Sequence, residues 1–312
     1  MPRFVCKTCK RGFSRQTFRH DRYDKRPHEN AEVFFQLVSG VGMRQVARAR
    51  QLSPKSVQRK LRKLARTLWA LHDNLTQKLP EGRTWLLDEE ETFEAASIRA
   101  LTMPVLIERE TWLVVAAAVG SIRRLAPPGT ARRARQDAEE AEHGQRPDTS
   151  SQVVRAVLQR LHEKVPTGRI VLRTDQKPSY GPIAREVFGD RLIHETTAGS
   201  RARDTSNPLF AINTTMAMTR DNCGRLRRRS WLVSKCGTWL QDHMGLFTAY
   251  RNYVRRRFNY DEASISAAVL VGLLPRRLTR DEALAWRQDW AERSIHPMSR
   301  CGAECVGDAM AA

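Results

Sequence analysis

From Asn30 onward the apolar positions fall into helical spacing. Val33, Phe34, Leu37 and Val38 share one face before Gly40 and Gly42 interrupt the run. Met43 to Gln51 reads as a short second helix with Val46 and Ala47 inward. Ser53 then caps a third helix, with Pro54 at its first position and Val57, Leu61, Leu64 and Ala65 as its buried stripe. Past Pro80-Glu81-Gly82 the pattern becomes strand-like, and Thr84 to Phe93, Ala100 to Glu108 and Thr111 to Ile122 read as three successive strands. The charged stretch Arg132 to Arg146 reads as an exposed helix or loop, and Ser151 to Lys164 as an amphipathic helix. Arg169 to Arg173 is a β-branched strand running into Thr174-Asp175, residues 183–189 are helical, and Arg191 to Glu195 is a fifth strand. Phe210 to about Arg257 returns to helical spacing, and an amphipathic segment, Arg280 to Arg293, precedes a loose tail.

Three strands of antiparallel type, then helix, strand, helix, strand and helix, is the order of a ribonuclease H-like α/β fold. The predicted organisation is a basic arm over residues 1–28 and an all-α helix-turn-helix domain over 29–80. A catalytic domain with a mixed five-stranded sheet and flanking helices spans 81–257, and a C-terminal helical segment with its tail spans 258–312.

Charge adds a partner to this plan. The chain of 312 residues carries a net charge of +20, and residues 1–83 hold 20 basic against 6 acidic side chains. A basic head on a nearly balanced body points to a polyanion. The longest apolar run, Leu113 to Val119, is far too short to cross a bilayer, and the N-terminus has no apolar secretion signal, so the expected compartment is the cytoplasm, at the nucleoid. In a helix-turn-helix the second helix enters the major groove with its first turns near the bases. Lys55, Ser56, Gln58, Arg59, Arg62 and Lys63 are therefore the expected DNA contacts, Ser56, Gln58 and Arg59 being placed for base or phosphate.

The cysteines divide by position. Cys6-Lys7-Thr8-Cys9, with Gly12 and Phe13 beyond, is half of a tetrahedral Zn²⁺ site; His20 and His28 are spaced too widely for a finger. Cys223 and Cys236 read as buried thiols, and Cys301 and Cys305 as an incidental pair. Trp231, Trp239, Phe247 and Tyr250 fall near helical spacing and read as core.

Two acids stand out by place. Asp88 ends a Trp-Leu-Leu run and Asp175 ends Ile-Val-Leu-Arg-Thr. A carboxylate at the end of an apolar strand is costly unless a cation compensates it. On adjacent strands the two would form a site for Mg²⁺ or Mn²⁺ able to act on a phosphodiester. Serine and cysteine nucleophile motifs and phosphate-binding glycine loops are absent from the sequence.

The stretch Leu87-Asp88-Glu89-Glu90-Glu91-Thr92-Phe93-Glu94 resembles the first catalytic motif of bacterial insertion-sequence transposases of the DDE superfamily, and Thr174 to Tyr180 resembles their second. Asn207 to Met216, Arg225 to Trp231, Ser234-Lys235 and Ala249 to Tyr253 resemble the third region. The resemblance covers roughly residues 1–290 and is nearest to the insertion-sequence-one-like group, whose members place a zinc ribbon and a helix-turn-helix ahead of the catalytic domain. It implies that Cys6 and Cys9 are the remnant of such a ribbon. It also implies that Asn213 stands where the family usually has Glu, and Arg220 where some members carry a basic residue. The implied catalytic set is Asp88, Asp175, Asn213 and Arg220, with Arg220 beside a DNA phosphate and Glu195 as the rival third metal ligand. The implied activity is metal-dependent cleavage at terminal inverted repeats, followed by 3′-hydroxyl strand transfer into target DNA by a homodimer. The alternatives are a catalytically inactive, transposase-derived DNA-binding regulator and a recombinase with Tyr250 or Tyr253 as nucleophile.

Overall fold

The computed structural model describes residues 2–286 except 18, 20 and 228–230. His20, Arg228, Arg229, Cys301, Cys305 and the far end of the Arg280–Arg293 segment lie outside the described residues. The chain opens with a small antiparallel hairpin, β1 (Arg3–Val5) and β2 (Gly12–Ser14). Three helices follow: α1 (Asn30–Leu37), α2 (Met43–Ala49) and α3 (Pro54–Leu75). The Ser53 hydroxyl accepts from the Ser56 N–H at 3.1 Å and Pro54 sits at the first position, so α3 starts where the sequence places it.

Next come β3 (Thr84–Phe93), β4 (Ala100–Glu108), β5 (Val114–Ala117) and β6 (Gly120–Ser121). Two helices, α4 (Ala131–His143) and α5 (Ser150–Lys164), lead to β7 (Ile170–Asp175). Then α6 (Tyr180–Phe188), β8 (Leu192–Thr197), α7 (Phe210–Asn222) and α8 (Gly237–Ala249) complete the central body. A π-helical turn, Tyr250–Val254, extends α8, and the short helices α9 (Ala267–Val271) and α10 (Arg280–Leu284) follow.

The sheet runs β5-β4-β3-β7-β8, with β6 also paired to β4. β3, β4 and β5 pair antiparallel, whereas β3-β7 and β7-β8 pair parallel. This mixed sheet flanked by helices is compatible with a ribonuclease H-like fold. It has six strands rather than the five expected, because the segment 111–122 does not form one strand. Thr111-Trp112 is a turn with Trp112 at φ +62°, and Gly120 passes so close to α5 that a Cβ would sit 2.8 Å from the Val153 side chain.

Alternation along the strands separates the two faces. Trp85, Leu87, Ile170 and Leu172 are buried with Val154, Leu158 and Ala184 of α5 and α6. Leu86, Met103, Val105 and Ile107 are buried on the other face with Ile212, Met216, Leu240 and Met244 of α7 and α8. Every residue of β4 is buried, as befits a strand covered on both faces. The first cluster also takes in Val33, Leu37, Leu61 and Leu64, so the head helices and the sheet share one apolar interior. His72 of α3 clasps that junction: its Nε2 lies 2.8 Å from the Val115 carbonyl and its Nδ1 2.7 Å from the Tyr253 hydroxyl.

Candidate active site and nucleic-acid interface

The parallel ladder between β3 and β7 registers Leu86 opposite Arg173. Two residues further along each strand stand Asp88 and Asp175, so the alternation carries both carboxylates to the same face of the sheet, the face covered by α7. Asp88 Oδ1 accepts from the Glu89 N–H at 2.7 Å, and Asp175 Oδ1 accepts from the Lys177 N–H at 3.0 Å. Burial pushes the Asp88 carboxyl up to about 6, with repulsion from Asp175 and Glu89 adding to it and Arg203 opposing it. Among the described residues Asp88 forms no close ion pair, and the repulsion from Asp175 beside it is opposed at longer range by Arg203.

On α7, Asn213 is half-buried and Arg220 lies seven residues on. The Arg220 Nη1 donates to Glu90 Oε2, and Glu90 shares the sheet face of Asp88. Glu195 lies in the pleat row of Arg173, one row before that of Asp175 and Thr197, and its carboxylate takes the Arg173 Nε–H at 2.5 Å. Among the described residues no three His, Cys, Asp or Glu side chains gather as a metal-holding group. Of the carboxylates on this face, Glu90 is taken by Arg220 and Glu195 by Arg173, which leaves Asp88 and Asp175 without a side-chain ion pair among the described residues. Two hard carboxylate groups fit Mg²⁺ or Mn²⁺, which accept few protein ligands and keep waters.

Sequence reasoning missed what holds this pair. Glu89 was legible only as one acid in a run. In the structure it turns to the opposite face and takes hydrogen bonds from the Tyr180 hydroxyl at 2.8 Å, the Thr102 hydroxyl at 2.7 Å and the Lys177 ammonium.

The head presents its basic side chains unevenly. Lys55 and Arg59, one turn apart on α3, are exposed. Ser56 and Gln58 are half-buried, and the Ser56 hydroxyl lies 2.9 Å from that of Ser53 in the cap. Arg62 Nε stands 3.9 Å from Asp242 of α8, and Lys63 donates to the Arg22 carbonyl at 2.6 Å. Lys60, which the amphipathic pattern did not single out, is buried and donates to both Asp24 oxygens (2.7 and 2.6 Å), the Arg26 carbonyl and Asn30 Oδ1.

Cys6 and Cys9 lie in the turn joining β1 to β2, half-buried, with the Cys6 N–H bonded to the Arg11 carbonyl and the Lys10 N–H to the Cys6 carbonyl, both at 2.9 Å. Lys10 adopts φ +58°, which tightens the turn. His28 is largely exposed and lies 3.5 Å from Glu29. Cys223 is fully buried, whereas Cys236 is half-buried at the start of α8. Phe247 is core and Trp239 lies under the Arg225 guanidinium, but Trp231 is 97% exposed: the segment after α7 is not helical there, so helical spacing does not carry its ring inward.

No helix among the described residues is long and apolar enough to cross a membrane. A scan against known protein families matches none, and a search of curated proteins finds no relative. Among solved structures the chain is similar to one titled "Crystal structure of the Mos1 Strand Transfer Complex", at 15% identity over 72% of this chain and 76% of that chain, with a TM-score of 0.24. A likeness of that degree is too slight to argue from.

Proposed function

We propose that the protein is a DNA transposase of the DDE type, with Asn213 in the third position of the acidic set. The observation that carries the reading is the register of β3 on β7, which brings Asp88, midway along β3, and Asp175, the last residue of β7, to one face of the sheet, with no ion pair on Asp88 among the described residues. Asp88, Asp175 and the Asn213 amide oxygen would hold Mg²⁺ or Mn²⁺, and the ion when bound supplies an activated water and offsets charge on the phosphodiester. The chain's own residues do the rest. The Glu89 and Lys177 N–H groups orient the two carboxylates. Arg220 secures α7 to β3 through Glu90 and keeps about a third of its side chain exposed for a DNA phosphate.

In this reading α2 and α3 bind the terminal inverted repeats, with Lys55 and Arg59 leading. The 3′-hydroxyl freed by cleavage attacks target DNA, and two copies assemble on paired ends. Cys6 and Cys9 would give Zn²⁺ two of its four ligands.

The test is a nicking assay on a repeat-containing duplex with Mg²⁺ or Mn²⁺. Asp88→Ala and Asp175→Ala should each abolish cutting while repeat binding persists; normal cutting by either variant overturns the assignment. A second reading, a DNA-binding regulator that no longer cuts, is favoured by the uncharged Asn213, and repeat binding by the wild type without nicking selects it. A tyrosine nucleophile is disfavoured by geometry, since Tyr253 is fully buried with its hydroxyl on His72.

A further inference from the structure

Beyond the carboxylates themselves, the structure shows how their spacing is set. The β3-β7 ladder ends at Leu86 opposite Arg173, so no ladder hydrogen bond ties the strands in the row of Asp88 and Asp175. β7 stays paired to β8 as far as Asp175 opposite Thr197, and β3 stays paired to β4 throughout. The sheet therefore parts between its two aspartates. Like charges on either side of that parting push it wider.

A covalent and hydrogen-bonded path through Lys177 bridges the gap. The Lys177 N–H holds Asp175 Oδ1 at 3.0 Å, and its ammonium crosses to Glu89 Oε2. Glu89 in turn holds Asp88 Oδ1 through its own N–H at 2.7 Å. The Glu89 side chain is only 5% exposed, and Tyr180 and Thr102 complete its hydrogen bonds, so it has no freedom to follow Lys177 outward. Both ends of the path are backbone amides locked onto the two carboxylates.

We propose that Glu89 and Lys177 are positioning residues: their ion pair is a strap that replaces the missing ladder and fixes the separation of the Asp88 and Asp175 carboxylates. That the separation serves a divalent cation rests on the function proposed above; the strap itself does not. Residues that orient metal ligands typically change metal affinity by about 10–100-fold when removed.

Two measurements on the full chain test this. The variants are Lys177→Met and the double variant Glu89→Gln/Lys177→Met, which removes the strap without leaving a buried charge alone. The first measurement is amide hydrogen exchange at positions 89 and 177 in metal-free protein. Exchange there should quicken at least tenfold in the double variant while Leu86 and Leu87 stay protected. The second is Mn²⁺ titration followed by water-proton relaxation. Half-saturation should rise about tenfold in both variants and recover in Lys177→Arg, with repeat-DNA binding unchanged. Unaltered exchange at 89 and 177 in the double variant overturns the strap. Quickened exchange, in a protein whose Mn²⁺ binding is the same in wild type and Asp88→Ala, upholds the strap and overturns the metal-site reading instead.

Discussion

The guanidinium of Arg220 on α7 donates to the carboxylate of Glu90 on β3, joining residues 130 positions apart on the sheet face that carries Asp88. Glu90 is almost fully enclosed and Arg220 about two-thirds so. The pair seats the helix bearing Asn213 over the strand bearing Asp88, so it bears on stability and on the site together.

Removing one partner of an enclosed ion pair leaves the other charge less well compensated. Arg220→Ala should lower the free energy of unfolding by about 2 kcal/mol, discounted for the partial exposure of the arginine. Adding Glu90→Gln should return much of the loss. Urea denaturation of the two variants and the wild type measures both, and a double variant no more stable than Arg220→Ala would show that the loss does not arise at Glu90.

Two cations on α3 should behave in opposite ways. Arg59 is exposed, so Arg59→Ala should leave stability within about 0.5 kcal/mol of wild type. Its loss should weaken DNA binding and reduce the slope of log affinity against log salt by about 1, as expected for one lost phosphate contact. Lys60 is buried on Asp24, Arg26 and Asn30. Lys60→Met should cost about 3 kcal/mol by stranding Asp24 and releasing the 21–26 segment from the helix. Thermal denaturation beside a salt titration of DNA binding separates the two. A DNA defect in Lys60→Met that matched Arg59→Ala, without loss of stability, would reverse the assignment.

Two buried histidines should make the protein less stable in mild acid, against a smaller opposing gain from Asp88, whose carboxyl burial pushes up to about 6. Burial holds His72 and His243 down to about 4 from the ordinary 6.5, with repulsion from Lys164 and from Arg225 respectively. Nε2 of His72 donates to a carbonyl while its Nδ1 accepts from the Tyr253 hydroxyl; Nδ1 of His243 is buried with no partner. A proton on His243 Nδ1 has no acceptor waiting for it, and one on His72 Nδ1 requires the Tyr253 hydroxyl to turn its own proton away. The unfolded chain takes up these protons near pH 6.5 and the folded chain does not, so stability is full above pH 6.5 and falls as pH drops towards 4. The loss is up to about 3 kcal/mol for each histidine. Melting temperature of Asp88→Asn, which removes the opposing carboxyl, measured between pH 8 and 4.5 should be flat above 7 and decline below 6.5. A flat profile down to pH 4.5 would mean that these histidines are not held neutral by burial.

Much of the fold is local chemistry and was legible without coordinates. The serine cap and proline start α3 because they satisfy amide groups within one turn. The thirteen-residue charged helix α4 is less decided by pattern, since its exposed faces bury little and helix and loop read alike. The strand after Arg109 was misread for a related reason: apolar residues run through the segment, but the turn at Trp112 and the close pass of Gly120 against α5 depend on what packs there.

The acidic run divides the two kinds of information most clearly. Alternation in a strand by itself determines that Asp88 and Glu90 face one way and Glu89 the other, because successive side chains leave a pleated backbone on opposite faces. The apolar run before Asp175 likewise determines that it ends a strand, whereas β3 runs on past Asp88 to Phe93 because β4 pairs with it along that whole length. Which partner each acid meets was decided only by tertiary structure. Glu90 found Arg220 across 130 residues and Glu89 found Lys177 across 88, through the docking of α7 and the return of β7 beside β3. Periodicity is a property of neighbours along the chain, and a pairing across the sheet depends on register and helix placement that no local pattern records.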